Sequence, residues 1–169
     1  DQDMVDTAVD GINYTLAHAS DKGVLGNPKI ESMWPMCVYF RVLQAYYENT
    51  GDQRVIDALH KHYLNFTSEE IGNWRNIVSL EGMLWVYGKT SDRKLLERCE
   101  KAWNSGTFID LVPETCRNDE RLVMHGVTCA EELKLPMLLY AYTGNEMYRD
   151  LALNAEYKLT REHMLPDGV

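Results

Sequence analysis

Apolar residues recur at helical spacing along this chain, in segments of two kinds. Residues 33–51, 76–91 and 124–144 are apolar on more than one side, and each is followed by a segment with a single apolar stripe. A helix that is apolar on two faces must be covered on both, whereas a single stripe is typical of a surface helix. We therefore predict sequential helix pairs, with an inner helix first and an outer helix second.

The first pair shows the contrast most clearly. Its inner helix has one stripe of Met36, Phe40, Leu43 and Tyr47 and a second of Val38, Val42 and Ala45. Its outer helix, residues 53–66, has only the stripe of Val55, Leu59, Tyr63 and Phe66. We expect Phe40, Leu84 and Leu138 of the inner helices to be more buried than the outer stripes.

The remaining helices follow from the same spacing. A first helix is predicted at residues 3–19, and the third pair at residues 127–142 and 146–163. Pro136 falls inside that third inner helix, where its missing N–H should kink it. About seven helices are expected in all.

Short turns within pairs alternate with long connections between pairs. Residues 49–52, 89–92 and 142–145 each combine a small residue that can end a helix with an Asp or Asn cap for the next one. The connections at residues 67–75 and 104–125 are longer. This alternation predicts an all-α array of antiparallel inner/outer pairs, either an open solenoid or a closed (α/α)6 toroid. The broad apolar inner helices favour an incomplete toroid.

Composition sets the outer limits of the interpretation. The 169 residues, 45% hydrophobic and 25% charged, fit one domain, here a partial one spanning residues 1–169 with abrupt ends. The net charge of -9 without a Lys/Arg cluster argues against nucleic acid and anionic membranes as partners. No apolar run is long enough to span a bilayer. The compartment cannot be read directly, and we favour a periplasmic or secreted location over a cytoplasmic one.

Several short motifs, taken in order, give a family resemblance. They are Trp34-Pro35, residues 47–52 (YENTGD), Trp74-Arg75-Asn76, His125-Gly126-Val127 and Lys134-Leu135-Pro136. With them the chain resembles the bacterial beta-L-arabinofuranosidase superfamily, glycoside hydrolase family 127 and its relatives, from about residue 31 to residue 169. The resemblance implies an (α/α)6 toroid followed by β-sandwich domains. It also implies a hydrolase that releases L-arabinofuranose-like sugars from the non-reducing end of plant or microbial oligosaccharides.

The resemblance also implies that the catalytic residues lie beyond this chain. Family members use a zinc-bound cysteine as nucleophile and a glutamate as acid/base, in elements that follow the turn near Val169. We therefore expect no catalytic residue, metal site or cofactor in this chain, zinc in the intact enzyme, and an isolated chain without activity. Glu114-Thr115-Cys116 has a Glu-x-Cys form, but it precedes His125 and is interpreted as coincidence. The four scattered cysteines are interpreted as mostly buried thiols.

Six residues are candidates for binding carbohydrate. Aromatic rings can stack on sugars, imidazole, amide and guanidinium groups can hydrogen-bond hydroxyls, and one carboxylate lies inside the second inner helix. These candidates are His125, Trp34, Trp74, Arg75, Asn76 and Glu81. Packing would equally explain the two tryptophans, and a salt bridge would equally explain Arg75. A contact between helices would explain Glu81, and a structural role would explain His125.

Two classes of function stay open at this point. One is a fragment of a carbohydrate-active enzyme, and the other is a helical-repeat scaffold that binds without catalysis. An enzyme should gather its polar and aromatic groups at one end of a ring, where the long connections meet, with His125 among them. A scaffold should spread them along one continuous face.

Overall fold

The computed structural model describes residues 1–27, 32–108, 111–123 and 125–164, and within them the chain is helical without a strand. The predicted all-α class is therefore confirmed. The helices are α1 (Gln2–Ala17), α2 (Trp34–Thr50), α3 (Gln53–Tyr63), α4 (Ser68–Ile71), a 3-10 helix (Trp74–Ser79), α5 (Leu80–Thr90), α6 (Arg93–Ser105), α7 (Pro113–Arg117), α8 (Gly126–Glu132), α9 (Leu135–Thr143) and α10 (Glu146–His163).

The short turns have the cap chemistry that the sequence predicts. The inner helices end on left-handed residues, with φ of 69° at Gly51, 57° at Ser91 and 69° at Gly144. Each of these residues donates its N–H to the carbonyl four residues earlier, which closes the last turn. The next helix then begins at once, with the side chain of Asp52, Asp92 or Asn145 accepting from a backbone N–H of its first turn.

The inner helices pack side by side, and each outer helix packs on its partner. Helix α5 contacts α2 on one side and α9 on the other, and the 3-10 helix that precedes it contacts both α2 and α8. Helices α3, α6 and α10 pack on α2, α5 and α9, while α1 contacts α3. The core lies between these two layers and includes the outer stripes at Val55, Leu59 and Trp103.

The prediction that the inner helices are covered on both faces is wrong for α2. Phe40 and Leu43 are buried, but Val38 is 65% exposed, Val42 is 44% exposed and Ala45 is also exposed. The expectation that inner stripes are more buried than outer ones is wrong too, so the assignment of inside and outside by burial fails, and the names inner and outer below denote only the first and second helix of each pair. Leu84 is fully buried and Leu138 only partly, whereas Val55, Leu59 and Leu95 of the outer stripes are fully buried. The pattern of apolar residues shows how many apolar faces a helix has, but not which of them other parts of the protein cover.

The inner helices are less regular than their periodicity suggests. The second begins as the 3-10 helix before it continues as α5. The third is divided at Leu133 and Lys134 into α8 and α9, next to Pro136, which has no N–H to donate to the Glu132 carbonyl. The kink predicted at Pro136 is thus a break. The long connections contain two short helices, α4 and α7, that the sequence analysis treats as loop.

Candidate functional site

The first residues of the three inner helices lie at the same end of the inner layer. Helix α2 begins at Trp34, the 3-10 helix begins at Trp74, and α8 follows His125. Contacts of Asn76 with Met33 and of Arg75 with Trp34 bring the starts of the 3-10 helix and α2 together. Four of the six predicted residues, Trp34, Trp74, Arg75 and Asn76, therefore lie in one region, and His125 precedes α8, which packs against the same 3-10 helix.

Asn76 fixes the chain in front of α2. Its Oδ1 accepts hydrogen bonds from Met33 N at 2.9 Å and from Ser32 Oγ at 3.0 Å, and its Nδ2 donates to the Glu70 carbonyl at 3.1 Å. These bonds use the amide oxygen twice and one of the two amide N–H groups. Asn76 therefore fixes the backbone next to Trp34.

Trp34, Trp74 and Arg75 form the exposed part of this end, which we call the aromatic cluster. The Arg75 Cζ atom lies 5.1 Å from the Trp34 ring centroid and 4.9 Å from that of Trp74. Both distances are within the range of a cation–π contact. The two indoles are 36% and 48% exposed, so each keeps surface for another contact. The cluster joins three of the six predicted residues, two of which are neighbours in the Trp74-Arg75-Asn76 motif.

His125 caps helix α8. Its Nδ1 accepts from the Thr128 backbone N–H at 3.4 Å and lies 3.2 Å from Thr128 Oγ1. An Nδ1 that accepts from a backbone N–H is unprotonated, so the neutral ring carries its proton on Nε2. The residue as a whole is exposed. His125 thus has a structural role at the helix start and also faces solvent beside the 3-10 helix.

Glu81 lies deeper along the inner layer, in a group of four charges that we call the inner-layer ion network. Arg41 Nη2 is 2.7 Å from Glu81 Oε2 and 2.8 Å from Glu131 Oε2. Lys134 Nζ is 2.8 Å and 3.0 Å from the same two oxygens. The network joins three inner helical segments, and its side chains are about one-third exposed. Glu81 thus contacts neighbouring helical segments, which is the alternative that the sequence left open beside carbohydrate binding.

Both carboxylates of this network are held in the ionised form. Burial opposes ionisation of Glu81, but hydrogen bonds from Lys134 and Arg41 outweigh it and lower its pKa below the ordinary value. The Arg41 hydrogen bond, more than any other contact, lowers the pKa of Glu131. A glycosidase that uses two carboxyl groups needs one of them protonated as the general acid. Glu81 and Glu131 do not provide that acid, although they contact the same arginine nitrogen.

The sequence analysis gave Arg41, Glu131 and Lys134 no definite role, yet a signal for Arg41 exists. Trp34, Val38, Arg41, Ala45 and Glu48 follow one another at intervals of four and three residues, which places them on one face of α2. That face is the exposed one. Arg41 could therefore have been assigned with Trp34, two helical turns away. No comparable local signal links it to Glu81 or Glu131, which are distant in sequence.

A second aromatic and charged group, which we call the turn cluster, lies near the tight turns. Glu48 Oε1 is 2.8 Å from Lys89 Nζ and accepts from Trp85 Nε1 at 3.2 Å. Lys89 Nζ also lies 5.3 Å from the ring centroids of both Tyr47 and Trp85. Polar and aromatic groups therefore extend along the inner layer, from the long connections to the short turns.

A separate cleft lies apart from these groups. It has a volume of about 860 Å³ and lies between the loop at residues 20–27, the end of α3 and the start of α2. Among the described residues that line it, Asn76 is the one predicted site residue. We therefore place the candidate site on the inner layer.

The Glu-x-Cys triplet has no catalytic geometry. Cys116 is buried in α7, its thiol donates to the Leu111 carbonyl at 3.7 Å, and burial raises its pKa to about 12. Glu114 pairs with Arg117 on the surface. All four cysteines are free thiols, three of them buried, as expected. In the described ranges no group of His, Cys, Asp and Glu side chains is arranged to hold a metal ion.

Two further observations complete the description of the site. Among the described residues every helix is too short or too polar to cross a bilayer. Comparison with models of protein families, with characterised proteins and with solved structures finds no match for this chain. Its function is therefore inferred from its own residues.

Proposed function

We propose that the exposed face of the inner helices binds carbohydrate, in a bacterial glycoside hydrolase of the beta-L-arabinofuranosidase kind. The observation that carries this proposal is the aromatic cluster, in which two half-exposed indoles lie beside one arginine. Indole faces pack on the apolar faces of sugar rings, while guanidinium nitrogens donate to hydroxyls. The proposed substrates are plant or microbial oligosaccharides, from which the enzyme releases L-arabinofuranose-like sugars at the non-reducing end.

The inner-layer ion network supports the same proposal. Its one-third exposed groups offer both acceptors, on Glu81 and Glu131, and donors, on Arg41 and Lys134. A carbohydrate site requires such mixed groups because each sugar hydroxyl both donates and accepts. Charges that already hold one another in place lose little conformational freedom when a ligand binds.

We further propose that the helix pairs are part of an incomplete (α/α)6 toroid. In a closed ring the inner helices pack on outer partners through one face and line the central cavity with the other. The exposure of Val38 and Val42, on the same face as Trp34 and Arg41, agrees with this arrangement. An exposed apolar face beside charged groups is also typical of a ligand-binding surface.

The chemistry of hydrolysis is assigned to residues outside this chain, as zinc-bound cysteine and glutamate in the intact enzyme. The ionised state of Glu81 and Glu131 supports this division, because neither serves as the acid. The purified chain should not turn over an aryl L-arabinofuranoside. Turnover that is lost on Glu81→Gln or Glu131→Gln substitution would contradict the proposal.

A scaffold without catalysis is the second candidate function. The observation that favours it is the turn cluster of Tyr47, Glu48, Trp85 and Lys89, because it extends the binding groups along the layer. A scaffold would use both clusters for one long ligand, whereas an enzyme of the proposed kind would use mainly the aromatic cluster. Trp85→Ala should therefore weaken the binding of long oligosaccharides only if the scaffold function is correct.

Calorimetric titration with an oligosaccharide that ends in L-arabinofuranose tests the main proposal. Replacing Trp34 and Trp74 together by alanine should raise the Kd at least about tenfold, because both indole faces that pack on the sugar are removed. The matched control is Tyr157→Ala on α10, because Tyr157 is 58% exposed and also lies beside an arginine, Arg161. Equal loss in the double variant and the control would contradict a site at the aromatic cluster.

A further inference from the structure

Arg75 has an unusual environment for an arginine of an acidic protein. No carboxylate or carbonyl oxygen within the described ranges accepts a hydrogen bond from it, and its Nε atom is buried without an acceptor. This lack is notable in a chain with a net charge of -9. A buried donor without a partner costs free energy in the folded protein.

Two indoles lie beside the guanidinium. The Arg75 Cζ atom lies 5.1 Å from the Trp34 ring centroid and 4.9 Å from that of Trp74. A cation–π contact uses the positive charge and not a hydrogen bond, so it leaves the terminal N–H groups for an acceptor. The terminal nitrogens are not among the buried donors that lack a partner, so they reach solvent.

The backbone beside this arginine is strained. Trp74 has a φ of 49°, in the left-handed region that a large side chain rarely adopts. Such strain persists only where the surrounding structure imposes it, which is frequent at ligand sites. Here the strained residue is one of the two that position Arg75.

We propose that Arg75 binds the carboxylate of an acidic sugar, so that the ligand of the aromatic cluster contains a uronic acid. A carboxylate matches the fork of a guanidinium with two parallel hydrogen bonds, which a neutral hydroxyl does not. The indoles would pack on the ring of the same sugar. This inference rests on the proposed carbohydrate site and adds the charge of its ligand.

The test compares two forms of one ligand, a short oligogalacturonate and its fully methyl-esterified counterpart, by titration of the 169-residue chain. The acid form should bind at least about tenfold more tightly, because a hydrogen bond to a charged group is worth more than one to a neutral group. Arg75→Gln should remove this preference, because it should raise the Kd for the acid form far more than the Kd for the ester. Arg93→Gln, at the exposed start of α6, removes the same charge elsewhere and should leave the preference intact.

The outcomes separate this inference from the proposed function. Equal binding of both forms would overturn the inference and leave a neutral carbohydrate site standing. Binding of neither form would overturn the inference alone, because the titration with the arabinofuranose-terminated oligosaccharide decides the proposed function. Loss of the preference in Arg93→Gln as well would show a nonspecific charge effect and overturn the inference. If Arg75→Gln does not fold, Arg75→Lys provides the test, because it keeps the charge but not the fork. It should lose most of the preference, and an unchanged preference would contradict the inference.

Discussion

The outer and inner helices of this array use their apolar residues differently. On α3, the stripe of Val55, Leu59 and Tyr63 is almost completely buried, and the remaining surface is polar. On α2, Phe40 and Leu43 are equally buried, but a second apolar face with Val38 and Val42 is exposed. That second face is the one that carries Trp34 and Arg41.

The difference separates stability from function. Burial between the two layers is sufficient to explain the folding of the described helices, because the outer stripes and one face of each inner helix form a continuous core. The free face of α2 contributes little to that core. Its aromatic, charged and apolar residues are therefore available for a ligand, and the predictions below test this division.

The largest expected effect concerns a histidine on the outer side. His62 of α3 is 2% exposed, and burial lowers its pKa from 6.5 to about 4. As the pH falls from 6.5 to 4 the unfolded chain takes up this proton before the folded one does. The free energy of unfolding should therefore decrease by about 3 kcal/mol over this interval.

Urea denaturation at several pH values measures this effect. His62→Gln should flatten the dependence between pH 6.5 and 4, whatever its effect on stability at pH 7. His18→Gln, at the exposed residue that follows α1, is the matched control and should keep the dependence of the unsubstituted protein. An equally steep dependence in His62→Gln would show that another group is responsible.

A pair of identical substitutions compares the two layers directly. Val55→Ala on α3 removes fully buried methyl groups and should lower the free energy of unfolding by about 2 kcal/mol. Val38→Ala on α2 removes the same groups from a 65% exposed side chain and should change it by less than about 0.5 kcal/mol. Thermal unfolding of both variants checks this. Similar losses would mean that the exposed face of α2 is covered in the folded protein in solution.

The sequence predicted the outer side well because its signals are local. A stripe such as Val55, Leu59 and Tyr63 repeats every helical turn, and caps such as Asp52 and Asp92 lie next to the turns they close. The capping box of Thr67 and Glu70 is a local signal of the same kind, and it marks helix α4, which the analysis treated as loop.

The inner side was harder to predict because its features depend on distant residues. Arg41, Glu81 and Glu131 are far apart in the chain, so only packing of three inner segments brings them together. Nothing in the sequence indicates the positive φ of Trp74, since a glycine would be expected at a left-handed backbone position. Periodicity also could not show that the second face of α2 is exposed.

The inner-layer ion network should contribute moderately to stability. Arg41→Gln leaves the two ionised carboxylates with Lys134 as their one cation in the network. We expect the free energy of unfolding to fall by about 1 kcal/mol at pH 7, a modest value because the group is partly exposed. Because the pKa values of Glu81 and Glu131 are lowered in the folded state, this contribution is present above about pH 4.5 and disappears as the pH falls through the folded values.

Urea denaturation of Arg41→Gln at pH 7 and at pH 3 measures the network. The difference from the unsubstituted protein should shrink at the lower pH. Lys101→Gln breaks the exposed pair with Glu69 on the outer side and should have a smaller effect at either pH. A loss that is the same at both pH values would attribute the role of Arg41 to packing of its aliphatic part.

The smallest expected effect is that of the cap at His125. His125→Ala should lower the free energy of unfolding by about 0.5 kcal/mol, at the weak end for a cap because the bond to Thr128 N is 3.4 Å long. His125→Asn should restore the stability, because asparagine is a good N-cap, although it does not replace the imidazole ring. If both variants bind the oligosaccharide as tightly as the unsubstituted protein, His125 has only the structural role.

The four tryptophans allow the central claim, that the inner layer binds carbohydrate, to be tested in one measurement. Trp34, Trp74 and Trp85 lie on the inner layer, and Trp103 is fully buried in α6. The indole N–H signals of a ¹⁵N-labelled chain should be followed during titration with an oligosaccharide that ends in L-arabinofuranose. The signals of Trp34 and Trp74 should shift most, that of Trp85 less, and that of Trp103 should stay in place. Unchanged Trp34 and Trp74 signals at saturating ligand, or a shift of Trp103 alone, would contradict the claim.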